Sequence, residues 1–166
     1  MSTEPWLSGS RADLQPVPAA LLYCFDHALL DIQKWTDGLS TEQVWTAPGE
    51  VGSIGFHLRH IAGSVDRLMT YARGEQLDDQ QLTALKNEGA PGATRTELID
   101  VMRSVFESAG RTLQRVDVST LTQIREIGRK RVPVPLGVLL VHIAEHTQRH
   151  VGEVIVTAKL VRGGAR

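Results

Sequence analysis

Leu139, Ile143, His146, His150, Val154, Thr157 and Val161 follow one another at steps of three or four residues. That spacing lines up one face of an α-helix. It predicts a long helix over about 135–161, which Gly163-Gly164 ends. Two seam positions that the pattern reserves for apolar side chains are histidines. Burying two unpaired imidazoles side by side costs free energy unless something accepts their lone pairs, and a metal ion does this for both.

Three more segments carry the same period. Leu21, Leu22, Phe25, Leu29, Ile32 and Trp35 mark a helix over about 16–35, with Pro16 and Pro18 in its first turn and Asp37-Gly38 after its end. Ser40-Thr41-Glu42-Gln43 reads as a short capped turn leading to Trp45. A second long helix, capped by Ser53 and ended by Gly74, carries Ile54, Leu58, Ile61, Val65, Leu68 and Ala72. Residues 75–94 are polar, with a short helix predicted over 79–86. Thr94 and Glu97 have capping-box spacing ahead of Leu98, Val101, Val105 and Leu113, the third long helix.

Pro133 and Pro135 keep residues 119–135 from being helical, so a long connection with a short hairpin is expected there. The reading is all-α: a four-helix bundle with long connections between helices 2 and 3 and between helices 3 and 4. A chain of 166 residues makes one domain spanning 1–166, with 1–15 as a flexible lead-in.

Composition narrows the function. A formal net charge of −1 argues against a polyanionic partner such as duplex DNA. The single Cys24 leaves no intrachain disulfide or multi-cysteine metal site, and suits a reducing cytoplasm. No apolar run reaches the roughly 18–20 residues needed to span a bilayer. The first fifteen residues lack the apolar stretch of a secretory signal. A cytoplasmic protein without a membrane or nucleic-acid partner is expected.

The histidines carry the chemistry. His57 and His60 lie on the second long helix, and His142, His146 and His150 on the last. Histidines four apart sit about 40° apart around a helix and about 6 Å along it, so a pair can chelate one ion, with a third ligand from a facing helix. Periodicity puts His57 nearer the centre of the Ile54–Ile61–Leu68 stripe. His60 can still face the last helix from the flank, and the spacing alone leaves the third ligand open between them. His142 lies about 40° off the seam, as an outer partner or a surface residue. His27 stands alone and needs only a hydrogen-bond partner.

His142-Ile143-Ala144-Glu145-His146 also fits H-x-x-E-H, the inverted zinc-protease pattern. That pattern leaves His150 unexplained, and only twenty residues follow His146 to supply a further ligand.

Ser53-Ile54-Gly55-Phe56-His57-Leu58-Arg59-His60-Ile61-Ala62-Gly63, followed by His142-Ile143-Ala144-Glu145-His146-Thr147-Gln148-Arg149-His150-Val151-Gly152-Glu153, resembles the DinB-like superfamily. That group includes YfiT-type metal hydrolases and bacillithiol- and mycothiol-dependent S-transferases. The resemblance covers nearly the whole chain in helix order. It implies His60, His146 and His150 as ligands, because His60 precedes Ile61-Ala62-Gly63 as the family's histidine does. It also implies a divalent ion, usually zinc or nickel, with water completing the shell, and a homodimer. The family often has Gln after the glycine where this chain has Glu153.

The expected activity is metal-dependent transfer of a low-molecular-weight thiol, or hydrolysis, acting on a small molecule in detoxification or stress response. The alternative is a non-catalytic metal-binding or structural homodimeric bundle. His57, His142, Glu145, Arg149 and Glu153 are the candidate outer contacts or alternative ligands, and Arg59 lies beside them in sequence. Arg125, Arg129, Lys130 and Arg131 form a basic loop, read as solvated or as a contact for an anionic substrate. Gly152 costs its helix about 1 kcal/mol relative to alanine, for which close helix packing is the expected compensation.

Overall fold

The computed structural model describes residues 4–163. Residues 1–3 of the expected flexible lead-in, and Gly164 of the expected helix stop, lie outside them. Among the described residues there are six α-helices: α1 (Pro16–Thr36), α2 (Thr41–Trp45), α3 (Ile54–Ala72), α4 (Asp79–Lys86), α5 (Arg95–Leu113) and α6 (Leu136–Gly163). Two strands, β1 (Ile124–Ile127) and β2 (Val132–Pro135), form an antiparallel hairpin before α6. A 3-10 helix, Pro5–Ser8, packs on α1.

The four predicted long helices are α1, α3, α5 and α6. α1 packs on α6 and α5, and α3 packs on the same two, so the four close a ring. Inside it Phe25 of α1 stacks on Phe106 of α5, with ring centroids 4.2 Å apart and planes at 11°. Ile61, Val65, Met102, Leu140 and Val154 fill the same core.

The structure is more than a plain four-helix bundle. α2 and α4 are short helices beside the four long ones, α4 where the short helix over 79–86 was expected, and the connection between α5 and α6 carries the expected hairpin. Its register pairs Ile124 with Pro135 and Ile127 with Val132. Two prolines are tolerated in β2 because a two-stranded sheet has only edges, where a missing N–H interrupts no central ladder. The turn takes Gly128 at φ 69°, a left-handed conformation that glycine adopts without a Cβ clash. The hairpin also finishes α6: Leu136 and Gly137 donate their N–H groups to the carbonyls of Gln123 and Leu121, both at 2.8 Å. These bonds satisfy donors that a helix start leaves without intrahelical partners.

Local chemistry explains where the other helices begin. Ser40, Asp78 and Thr94 form capping boxes with Gln43, Gln81 and Glu97, and the Ser53 hydroxyl accepts from Phe56 N–H. Among the described residues no helix is long and apolar enough to cross a membrane.

Candidate metal centre

α6 meets two neighbours, so its buried face is wider than a single seam. Gln148 donates to the Cys24 carbonyl of α1 at 3.1 Å, and the Cys24 thiol donates to the Ala144 carbonyl at 3.4 Å. His146 and His150 contact α3 instead. Thr147 and Val151 lie between these sides and are fully buried. This corrects the expected seam: its centre passes through Thr147 and Val151, and the two histidines are half-buried on the flank that faces α3. Three- and four-residue steps identify a broad stripe but do not locate its middle when two helices share it.

On α3 the stripe reading holds. His57 is buried and His60 half-buried at the border. Both reach α6. His60 Nε2 lies 3.0 Å from His146 Nε2, and His57 Nδ1 lies 3.0 Å from His150 Nδ1. Advancing along α3 from 57 to 60 thus retreats along α6 from 150 to 146, so the helices run antiparallel here. Ring centroids are 4.4 Å apart for His60–His150, 4.6 Å for His146–His150 and 5.1 Å for His60–His146. One nitrogen from each of His60, His146 and His150 falls within 4.8 Å of the others, a group that can hold a metal ion. Phe56 stacks on His60, with centroids 5.5 Å apart and planes at 21°.

Burial and neighbouring charge hold His57, His146 and His150 below the ordinary imidazole range. Burial first, then the neighbouring imidazoles and Arg149, push His150 down to about 4. Burial and the charges of His60, His142 and Arg149 lower His146 as well. His57 is lowered by burial, partly offset by the Glu153 charge. Neutral imidazole is the form that ligates metal. Two lone pairs facing each other at 3.0 Å would repel, so the His60–His146 contact needs either a shared proton or a cation taking both. The donor set therefore fits a divalent ion that accepts nitrogen ligands.

The other expected contacts divide. His57 touches the cluster through His150, while its Nε2 is buried with no hydrogen-bond partner among the described residues. His142, Glu145 and Arg149 are exposed and bond to one another: His142 Nδ1 to Glu145 at 2.8 Å, and Arg149 to Glu145 at 2.9 Å. The H-x-x-E-H pattern accordingly does not assemble as such, because the three-histidine group takes His150 and omits His142. Glu153 is exposed. Arg59 lies over the Trp45 ring at 4.7 Å and donates to the carbonyls of Asn87 and Ala90, bracing the α4–α5 connection. Arg125 donates to the Ala72 carbonyl at 2.8 Å, and Arg131 pairs with Glu126 at 2.8 Å. Arg129 and Lys130 are exposed.

Gly152 contradicts its expected role. It is exposed, and among the described residues a Cβ there would meet nothing within 4 Å, so no close packing among them compensates it.

Sequence reasoning missed Glu88. It sits just beyond α4, buried to 6% exposure, and accepts from His60 Nδ1 at 2.7 Å and from Arg67 Nη1 at 2.8 Å. Burial alone would raise its carboxyl, but the hydrogen bonds and charges of His60 and Arg67 outweigh that and hold it below the usual range. A lone acid in a polar stretch 28 residues from His60 leaves no periodic signal.

Fold and site together define a helical bundle protein with a three-histidine cluster between two of its helices. The sequence matches the DinB superfamily over residues 25–154, and the chain belongs to that superfamily. A solved structure described as a conserved protein from Enterococcus faecalis is similar at 16% identity and a TM-score of 0.73, covering 86% of this chain and 95% of that one. That likeness concerns the fold. No curated protein matches the sequence.

Proposed function

We propose that this protein is a metal-dependent enzyme. His60, His146 and His150 hold a divalent ion, zinc or nickel, and the reaction is thiol S-transfer or hydrolysis on a small molecule. The observation that carries the reading is the convergence of three imidazoles from α3 and α6, with one nitrogen of each within 4.8 Å of the others. A bound ion with open positions supplies acidity, lowering the pKa of a coordinated water or thiol so that a nucleophile exists at neutral pH.

The chain's own residues do the rest. Glu88 is hydrogen-bonded to His60 Nδ1, and Phe56 covers one ring face of His60. His57 backs His150 from the buried side. A cytoplasmic homodimer using a low-molecular-weight thiol such as bacillithiol or mycothiol completes the reading, and the near-neutral charge agrees with a small-molecule substrate rather than DNA.

Elemental analysis of protein purified without chelators tests the site. About one zinc or nickel per chain is expected, and His146→Ala should weaken binding by more than ~100-fold, beyond what outer partners typically contribute. His27→Ala, outside the cluster, should leave binding unchanged. Turnover of an electrophile with bacillithiol, mycothiol or glutathione, against a thiol-free control, then separates transfer from hydrolysis. Absence of stoichiometric metal in the wild type refutes the proposal. Full occupancy without turnover of either kind favours the non-catalytic alternative.

A further inference from the structure

His60, Gly63 and Arg67 are spaced by three and four residues and so share a face of α3. Glu88 is inserted against that face from the segment after α4. One of its oxygens takes the His60 Nδ1 proton at 2.7 Å, and the other takes Arg67 Nη1 at 2.8 Å. Arg67 is itself buried, at 8% exposure. A Cβ on Gly63 would lie 2.7 Å from both Arg67 Nη1 and Glu88 Oε1, so the glycine leaves the space in which the two side chains meet. A buried ion pair is expensive in desolvation and is poor evidence of added stability. Its cost points to a use for the carboxylate beyond holding Arg67.

That use follows from donor and acceptor rules. An ionised carboxylate only accepts, so the His60 proton must sit on Nδ1, leaving the lone pair on Nε2. Nε2 is the nitrogen that faces His146. We propose that Glu88, braced by Arg67 across Gly63, is the positioning residue of the metal centre: it holds His60 as the Nδ1–H tautomer with Nε2 turned to the ion. Metal-ligating histidines are generally oriented by such an outer carboxylate or carbonyl. This inference rests on the metal reading above, and its test has an arm that needs no metal.

The test uses Glu88→Gln. Arg67 must still meet an oxygen, so the amide introduced by the substitution turns its NH2 toward His60 Nδ1, which must then accept, and the proton moves to Nε2. Long-range nitrogen–proton NMR on the metal-free protein near pH 8 should find His60 as Nδ1–H in the wild type and as Nε2–H in E88Q. Competition of Zn2+ and Ni2+ against a chromophoric chelator should give a roughly 10–100-fold weaker affinity for E88Q, the range typical of outer-shell partners.

Where E88Q does not fold, the double variant Arg67→Met, Glu88→Leu leaves no buried charge unpaired. It should show the same loss of affinity and of the Nδ1–H tautomer. An unchanged tautomer with affinity within twofold of wild type overturns the proposal and makes Glu88 a structural partner of Arg67. A wild type that binds neither ion, yet switches tautomer in E88Q, overturns the metal reading while the control of His60 by Glu88 stands.

Discussion

Gly152 lies in the interior of α6, where exchange for alanine gains about 0.8–1 kcal/mol from backbone entropy, and Gly55 is the second residue of α3, where the gain is at most that. Their surroundings give the same substitution opposite signs. At Gly152 the new methyl meets nothing within 4 Å, so Gly152→Ala should stabilise by nearly the full propensity gain of about 1 kcal/mol. At Gly55 the methyl would sit 2.7–2.8 Å from three carbons of the Trp45 ring. Ordinary carbon contact is about 3.5–4.0 Å, so the ring must retreat by roughly 1 Å.

Trp45 is not free to retreat. Its Nε1 donates to the Ala93 carbonyl at 2.8 Å, and Arg59 lies over its face at 4.7 Å. Overpacking of this kind costs roughly 1–3 kcal/mol, which outweighs the propensity gain. For a chain of this size 1 kcal/mol moves the Tm by roughly 2–4 °C. Circular-dichroism melts should therefore rise by about that amount for Gly152→Ala and fall for Gly55→Ala, with urea midpoints moving likewise at an unchanged m-value. A Gly152→Ala protein no more stable than wild type would refute the reasoning, because it would mean that another surface occupies the space beside Gly152 in solution.

Two further outcomes follow from the structure. Burial raises the Cys24 thiol above its ordinary 9.0, with the Gln148 hydrogen bond opposing only in part. Iodoacetamide at pH 8 should therefore label the native protein much more slowly than the urea-unfolded chain, since only thiolate reacts. The sign for stability is the same: the protonated thiol's contribution is complete below about pH 9 and is lost as pH rises through the raised folded value. Equal labelling rates in the two states would contradict the burial. Thr94→Ala removes an exposed capping box at the start of α5 and should cost about 1 kcal/mol by urea unfolding, with metal affinity unchanged. A coupled loss of metal would show that the α5 cap also supports the segment carrying Glu88, which lines the same pocket as Glu97.

Much of the architecture was legible before any coordinates. Apolar positions at helical spacing, together with Ser53, the Thr94–Glu97 box and Pro133, located the long helices and the hairpin because each signal acts within a few residues of itself. The spacing of His146 and His150 likewise announced a possible chelating pair. The extra helices changed the description more than the core, since both are short: α2 showed in the sequence through its Ser40 cap, whereas the Asp78–Gln81 box that starts α4 was found only in the structure.

What periodicity carries is the existence of a buried face, and this sequence determined its helices, their order and which of them bear the histidines. Only packing decided that α6 divides its face between α1 and α3, which moved His146 and His150 from seam to flank and brought both His57 and His60 within reach of them. Only packing brought Glu88 to His60 and Arg67. The physical reason is one of range: helical spacing and caps are interactions among near neighbours in the chain, whereas the partner of a side chain across a helix pair is chosen by the assembled core.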